Sequence, residues 1–306
     1  MKKQIIAAAV AASMSAVALA DVAITGATKV NWTSTDGGST GMGNAFSSEI
    51  DFNVVGKAGD TEVHVNLENK NATTLAVKNR YLTTKVGGVD VKAGTWFTGD
   101  SNLNDAATQS ARVSLTTGMG PLSVNYQHEP AAAGDHNEVT VKATVGGINV
   151  SYEMENTDNH KILGLSGDIS GVKFAYTDSS SDLSTDTNDE SGYSLTTDIA
   201  GMTVTYQSME STEGTSSDGF FGTFDGSNTT TTRLTEASGF GITTSLAGNT
   251  VHVRNYKTTD ASATPVVERD TKVIVTRKLS SGATAEVTYV TGDSATSLDV
   301  ELAVAF

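Results

Sequence analysis

The sequence predicts an all-β fold, a transmembrane antiparallel β-barrel of 16–18 strands. Three observations carry that expectation. Apolar and polar residues alternate with a period of two nearly from end to end. No segment after residue 20 shows a comparable apolar period of 3.6. Tight turns containing glycine recur between the alternating runs.

The first twenty residues stand apart. Lys2 and Lys3 form a basic start, Ile5 to Val17 is apolar, and Ala18-Leu19-Ala20 has the small-x-small pattern of a cleavage site. This reads as a secretory signal peptide cleaved after Ala20, leaving one barrel domain over 21–306. Its removal takes away two lysines and no acid, so the net charge moves from −15 to −17. There is no cysteine, which excludes a disulfide scaffold in an exported chain. No apolar run after residue 20 approaches the roughly 18 residues of a membrane helix, a test that says nothing about strands. An acidic chain without basic patches is a poor nucleic-acid binder, and no such partner is expected.

The strands follow in order. In "NAFSSEIDFNVVGKAGD", Phe46, Ile50, Phe52 and Val54 share one face, opposite Ser47, Glu49, Asp51 and Asn53. "TEVHVNLENK" sets Val63, Val65 and Leu67 against Glu62, His64, Asn66 and Glu68. "GGVDVKAGTWFTGD" sets Val89, Val91, Ala93 and Phe97 against Asp90, Lys92 and Trp96. An internal repeat comes next: "GPLSVNY", "GGINVSY", "SGVKFAY" and "AGMTVTY" end at Tyr126, Tyr152, Tyr176 and Tyr206, spaced by 26, 24 and 30 residues. That period suits one hairpin rather than one strand. Each tyrosine stands five residues past its turn, about 13 Å up a tilted wall. They read as an interfacial aromatic girdle or as mid-wall positions. The chain closes on "TSLDVELAVAF", where Leu298, Val300, Leu302, Val304 and Phe306 share a face.

The connections alternate in kind. Short ones lie at "GKAGD", "VGGVD", "GMGPL", "VGGIN", "DISGV", "IAGMT", "LAGNT" and "LSSGA". Between them fall longer polar ones, among them 178–190 with five acids and 209–230 with four, both without a base. One end of the sheet thus has tight turns and the other long loops, as in outer-membrane barrels with periplasmic turns and extracellular loops. Eight short turns imply 18 strands, and the stretch 229–247 leaves 16 open. Apolar faces turned inward would give a barrel interior too wide to fill. Turned outward they meet lipid, while the polar faces line water, and closure leaves no edge unpaired in hydrocarbon.

The signal peptide, the opening "DVAITGATKVNWT", the pair "NRYLTTKVGGVDVKAGTWF" followed by a loop, and the terminal "LAVAF" together resemble the general porins of Gram-negative outer membranes. The resemblance implies a water-filled, commonly trimeric diffusion channel, typically of 16 strands, in contact with outer-membrane lipid and lipopolysaccharide. It implies that a third long loop narrows the pore and that its acids face a basic cluster on the wall. The matching loop is 98–110, with Asp100 and Asp105, and the wall candidates are Lys29, Arg80, Lys92 and Arg112. The loop is short for that role, and the second strand carries Glu49 and Asp51 where a basic residue would fit the pattern. The resemblance also makes Phe306 part of the signal read by the barrel-assembly machinery.

Lys78 and Arg80 are two apart and read as sharing the lumen face, where charge rings discriminate ions. The acid surplus favours weak cation selectivity. No cofactor is expected. The five histidines have no mutual metal-ligand spacing; His128 and His136 flank one loop, which is a faint metal signal. The acids at 186–190 lack the glycine and ligand order of an EF-hand and read as an exposed loop face, or as acids that loosely bridge to lipopolysaccharide through divalent cations. An enzyme is not expected, because no nucleophile motif contains a histidine. The competing classes are a barrel hydrolase and an adhesin or structural barrel.

Overall fold

In a computed structural model the described residues are 21–36, 42–70, 75–98, 108–130, 135–156, 160–180, 189–215, 234–261, 265–293 and 296–306. They form eighteen strands: β1 (Asp21–Asp36), β2 (Met42–Ala58), β3 (Thr61–Lys70), β4 (Ala76–Val86), β5 (Val89–Thr98), β6 (Thr108–Met119), β7 (Leu122–Glu129), β8 (His136–Val145), β9 (Ile148–Glu155), β10 (Lys161–Ile169), β11 (Val172–Ser180), β12 (Glu190–Ile199), β13 (Met202–Thr215), β14 (Leu234–Leu246), β15 (Asn249–Asp260), β16 (Val267–Lys278), β17 (Thr284–Gly292) and β18 (Thr296–Ala305). Each pairs antiparallel with its sequence neighbours, and β18 pairs with β1. The sheet is therefore a closed barrel without an edge strand. The expected signal peptide at 1–20 lies outside the described residues.

Burial separates the two faces, and in the opposite sense to a soluble core. Ile24 is 64% exposed, Phe46 70%, Val145 66% and Leu246 65%. Arg112 is 5% exposed, Asp270 4% and Lys272 4%. The register puts the first set on one face and the second on the other. Side chains on the concave inner face converge and cover one another, while those on the convex outer face splay apart. Apolar residues outward and polar residues inward suit lipid outside and water inside.

The eight short connections sit where glycine patterning places them, which fixes the strand number at eighteen. Two-residue turns with both φ angles positive recur, for example Gly146 (59°) with Gly147 (83°), and Ala247 (51°) with Gly248 (79°). These match the right-handed strand twist. The polar stretches taken as loops begin inside strands: β11 runs on to Ser180 and β13 to Thr215. Serine, threonine and acid there belong to strand ends that outrun the apolar band.

That band begins at the short turns themselves. Met119, Val145, Ile169, Ile199 and Leu246 end their strands on the outer face and are more than half exposed. The repeat tyrosines close its other border. Tyr126, Tyr152, Tyr176 and Tyr206 point outward on β7, β9, β11 and β13, joined by Tyr193 and Phe240. Beyond them the outer face turns polar at Asp178, Ser191, Ser208 and Lys257. The Tyr176 hydroxyl donates to Asp178 at 2.8 Å and that of Tyr126 to Asn137 at 2.7 Å. Ring in the apolar band and hydroxyl toward the polar rim is the girdle arrangement.

Candidate functional site

The inner wall of the barrel is the candidate site. Alternation sends every second residue of each strand there, so its chemistry is read off the register.

One sector is acidic. Glu49 and Asp51 on β2 and Glu68 on β3 face inward, and one oxygen from each lies within 4.8 Å of the others. Such a trio could hold a cation, but three lysines already balance it. Lys29 on β1 lies 4.0 Å from Glu49, Lys70 3.9 Å from Glu49, and Lys78 2.9 Å from Glu68.

The next sector is cationic and aromatic. His64, Tyr81, Gly94 and Arg112 form one inward register row across β3–β6, and Lys92 and Trp96 flank Gly94 on β5. Gly94 has φ of 143°, and a Cβ there would stand 2.3 Å from the Arg80 carbonyl oxygen and 2.5 Å from the Tyr81 Cα. Glycine is therefore what lets the β4 backbone approach β5 closely at Tyr81. The Lys92 ammonium lies 4.1 Å from the Tyr81 ring centre and 4.3 Å from that of Trp96. Arg112 lies 5.8 Å from the same Trp96 ring and forms an ion pair with Glu129 at 3.2 Å.

A third sector, on β7–β10, is rich in carboxylates. Glu138, Glu153 and Glu155 face inward in adjacent rows. Thr140 bridges Glu138 and Glu153, at 2.9 and 3.3 Å. Glu155 lies against His136 and, at 3.4 Å, His160. His128 points to the outer face instead, bonded to Asn137 at 2.9 Å. His128 and His136 thus lie on opposite faces of the wall and cannot share an ion.

Of the residues singled out in the sequence, Lys29, Lys92, Arg112, Glu49 and Asp51 lie on the inner face. Asp100 and Asp105 fall outside the described residues. Phe306 lies on the outer face, pairing with Gly26 and touching Phe52. Arg80 is a correction. It pairs with Val65 on β3 and Thr95 on β5, on the outer face with Leu82, and is exposed. The cause is a bulge. Asn66 pairs with Asn79 and Leu67 with Val77, so Lys78 is the extra residue. Lys78 and Arg80 therefore do not share a face, although they are two apart. Parity counted back from the turn, from Val86 to Leu82 to Arg80, carries the right phase.

Sequence reading passed over His64, Tyr81, Trp96 and Glu129 as members of this wall cluster. Trp96 was visible on the polar face of its strand. No sequence signal linked Glu129 to Arg112, since their contact crosses a hairpin.

No family model matches the sequence, and no curated protein matches it. Solved structures do. Pseudomonas aeruginosa OccK2 (OpdF), solved in complex with glucuronate, superposes with a TM-score of 0.70 at 9% identity, covering 94% of this chain and 96% of that one. The P. aeruginosa outer membrane protein OpdK gives 0.69 at 9%, covering 94% and 98%. P. aeruginosa OccD3 (OpdP) gives 0.65 at 13%, covering 93% and 91%. At these identities the likeness is one of fold: this chain has the closed-barrel fold of those outer-membrane proteins. The eighteen strands counted from the short turns stand, against the 16 typical of the general porins that the sequence resembles.

Proposed function

We propose that the chain is an outer-membrane porin, a water-filled channel for passive diffusion of ions and small hydrophilic solutes. The inverted burial carries this reading: exposed apolar side chains outside, and polar and charged side chains such as Arg112, Asp270 and Lys272 inside a closed barrel of eighteen strands. Such a wall lowers the cost of moving hydrated ions through a low-dielectric membrane.

Selectivity follows from the balance of the wall. Lys29, Lys70 and Lys78 sit against Glu49 and Glu68, and Arg112 sits against Glu129. Glu138 and Glu153 have only neutral partners among their described hydrogen bonds. The surplus is negative, and the channel weakly prefers cations. Lys92 supplies the local opposing field. Among the described residues Ser179 lies 2.6 Å from His160 Nε2, with Glu155 3.4 Å from Nδ1 of the same ring, an order of serine, histidine and acid that keeps a barrel hydrolase as the second reading.

Liposome swelling is the test. Purified protein in vesicles should admit small neutral sugars at rates that fall with solute size. Vesicles that stay tight would remove the channel reading.

A further inference from the structure

Lys92 is an inward cation of the β3–β6 cluster held between two rings. Its ammonium has the faces of Tyr81 and Trp96 at 4.1 and 4.3 Å, and no described carboxylate lies within 4.0 Å of it. Trp96 is 5% exposed, meets Tyr81 edge-on at 6.0 Å, and carries Arg112 5.8 Å from its ring centre. His64 stacks on Tyr81 at 4.7 Å with the planes 15° apart, which fixes the second ring. At Gly94 the β4 backbone at Tyr81 comes closer than a side chain would allow, which sets the Tyr81 ring beside Lys92.

A ring face attracts a cation without cancelling its charge, whereas a carboxylate cancels it. Arg112 is matched by Glu129. Lys92 keeps its field toward the lumen. A free lysine on this wall would not stay that way. Glu62, which holds Lys57 at 2.9 Å and lies 3.3 Å from His64, is in the same inward register row, through Thr83, two strands and about 10 Å away, and a second lysine could share it. A lysine stem spans much of that distance.

We propose that Trp96 is a specificity-positioning residue: together with Tyr81 it holds Lys92 as an unneutralised positive charge on the inner wall and so limits the channel's preference for cations. The proposal rests on the channel reading above.

The experiment is the zero-current potential of single channels in planar bilayers under a tenfold KCl gradient. The variants are Trp96→Leu, Trp96→Phe, Tyr81→Leu, Lys92→Met and the double Lys92→Met/Trp96→Leu. One charge about a Debye length from the permeating ion shifts the cation-to-anion permeability ratio by about 1.5–2-fold. Lys92→Met removes the charge and should raise the ratio by that amount; Trp96→Leu fills the volume without a π face and only moves the charge away from the lumen, so it should raise the ratio by less. Trp96→Phe should stay near wild type. The double variant should match Lys92→Met alone, because the tryptophan acts through the lysine. Should Trp96→Leu fail to assemble, Tyr81→Leu removes the other ring and should shift the ratio in the same direction. A wild-type ratio in Trp96→Leu or Tyr81→Leu overturns the proposal, and so does a further shift in the double variant. A wild-type protein that forms no channels defeats the underlying reading instead, which separates the two failures.

Discussion

Gly26 and Phe306 exchange both of their backbone hydrogen bonds across the seam of the barrel. The Gly26 N–H donates to the Phe306 carbonyl at 2.8 Å, and the Phe306 N–H donates to the Gly26 carbonyl at 2.9 Å. The aromatic ring occupies the space that a side chain at position 26 would need. A Cβ there would stand 2.5 Å from the ring Cζ and 2.6 Å from the Asp51 carbonyl oxygen. The same ring meets Phe52 edge-on at 5.9 Å, so it staples β18 to β1 and to β2. An aromatic covering a strand glycine is a known way to pin register.

Gly26→Val should therefore loosen the seam. Overpacking of this kind costs about 1–3 kcal/mol. The readout is the urea midpoint of the heat-modifiable, folded band on gels. Adding Phe306→Ala should recover part of the loss, and only part, because the Asp51 backbone stays in the way. An unshifted midpoint for Gly26→Val would contradict the seam geometry.

Arg80 lies on the outer face, so its charge belongs to the lipid boundary. Arg80→Ser should leave the zero-current potential within error of wild type. In an Arg80→Cys variant, a lipid-soluble quencher should reach a fluorophore on position 80, and a water-soluble quencher in the lumen should not. A selectivity change in Arg80→Ser would mean that the bulge at Lys78 is misplaced.

Arg112 is matched to Glu129 on an inner wall where its own side chain is only 3% exposed. Arg112→Gln leaves that glutamate without its partner. The expected cost is about 2–3 kcal/mol, less than for a pair deep in a dry interior, because Glu129 keeps contact with lumen water. Replacing both, Arg112→Gln with Glu129→Gln, should recover most of it. Losses of the two single variants that simply add in the double variant would show that the pair contributes nothing.

How far the fold was legible in the sequence depended on where the period of two runs unbroken. Val63, Val65 and Leu67 on β3 and Leu298 to Phe306 on β18 are such runs, and their outward phase was readable. The eight turns were readable because a left-handed backbone selects glycine, as at Gly146 and Gly147. Arg80 was not, because a bulge inverts the phase on one side of it and leaves no mark in composition. Nor was the Lys92–Trp96–Arg112 cluster, since register between strands, set by hydrogen bonding, decides which inward side chains meet. The tyrosine rung was readable as a repeat. Its place on the barrel needed the finding that the apolar band starts at the turns.

The turns offer a further check. Ala247 adopts φ of 51° as a residue with a side chain, followed by Gly248. Ala247→Gly should raise the urea midpoint by the equivalent of about 0.5–1 kcal/mol, the left-handed strain relieved less the entropy that glycine adds. A lowered midpoint would argue against a two-residue turn with both φ positive at this position.

The central claim is a water-filled channel whose inner wall carries a surplus of carboxylates. Single-channel recording in a planar bilayer under a tenfold KCl gradient tests it most directly. The account predicts discrete conductance steps and a zero-current potential of the sign for a weak cation preference. That preference should grow as total salt is lowered, because the screening length lengthens from about 8 Å at physiological ionic strength to about 30 Å at 0.01 M. Absence of conductance steps, or a clear anion preference at all salt concentrations, would contradict it.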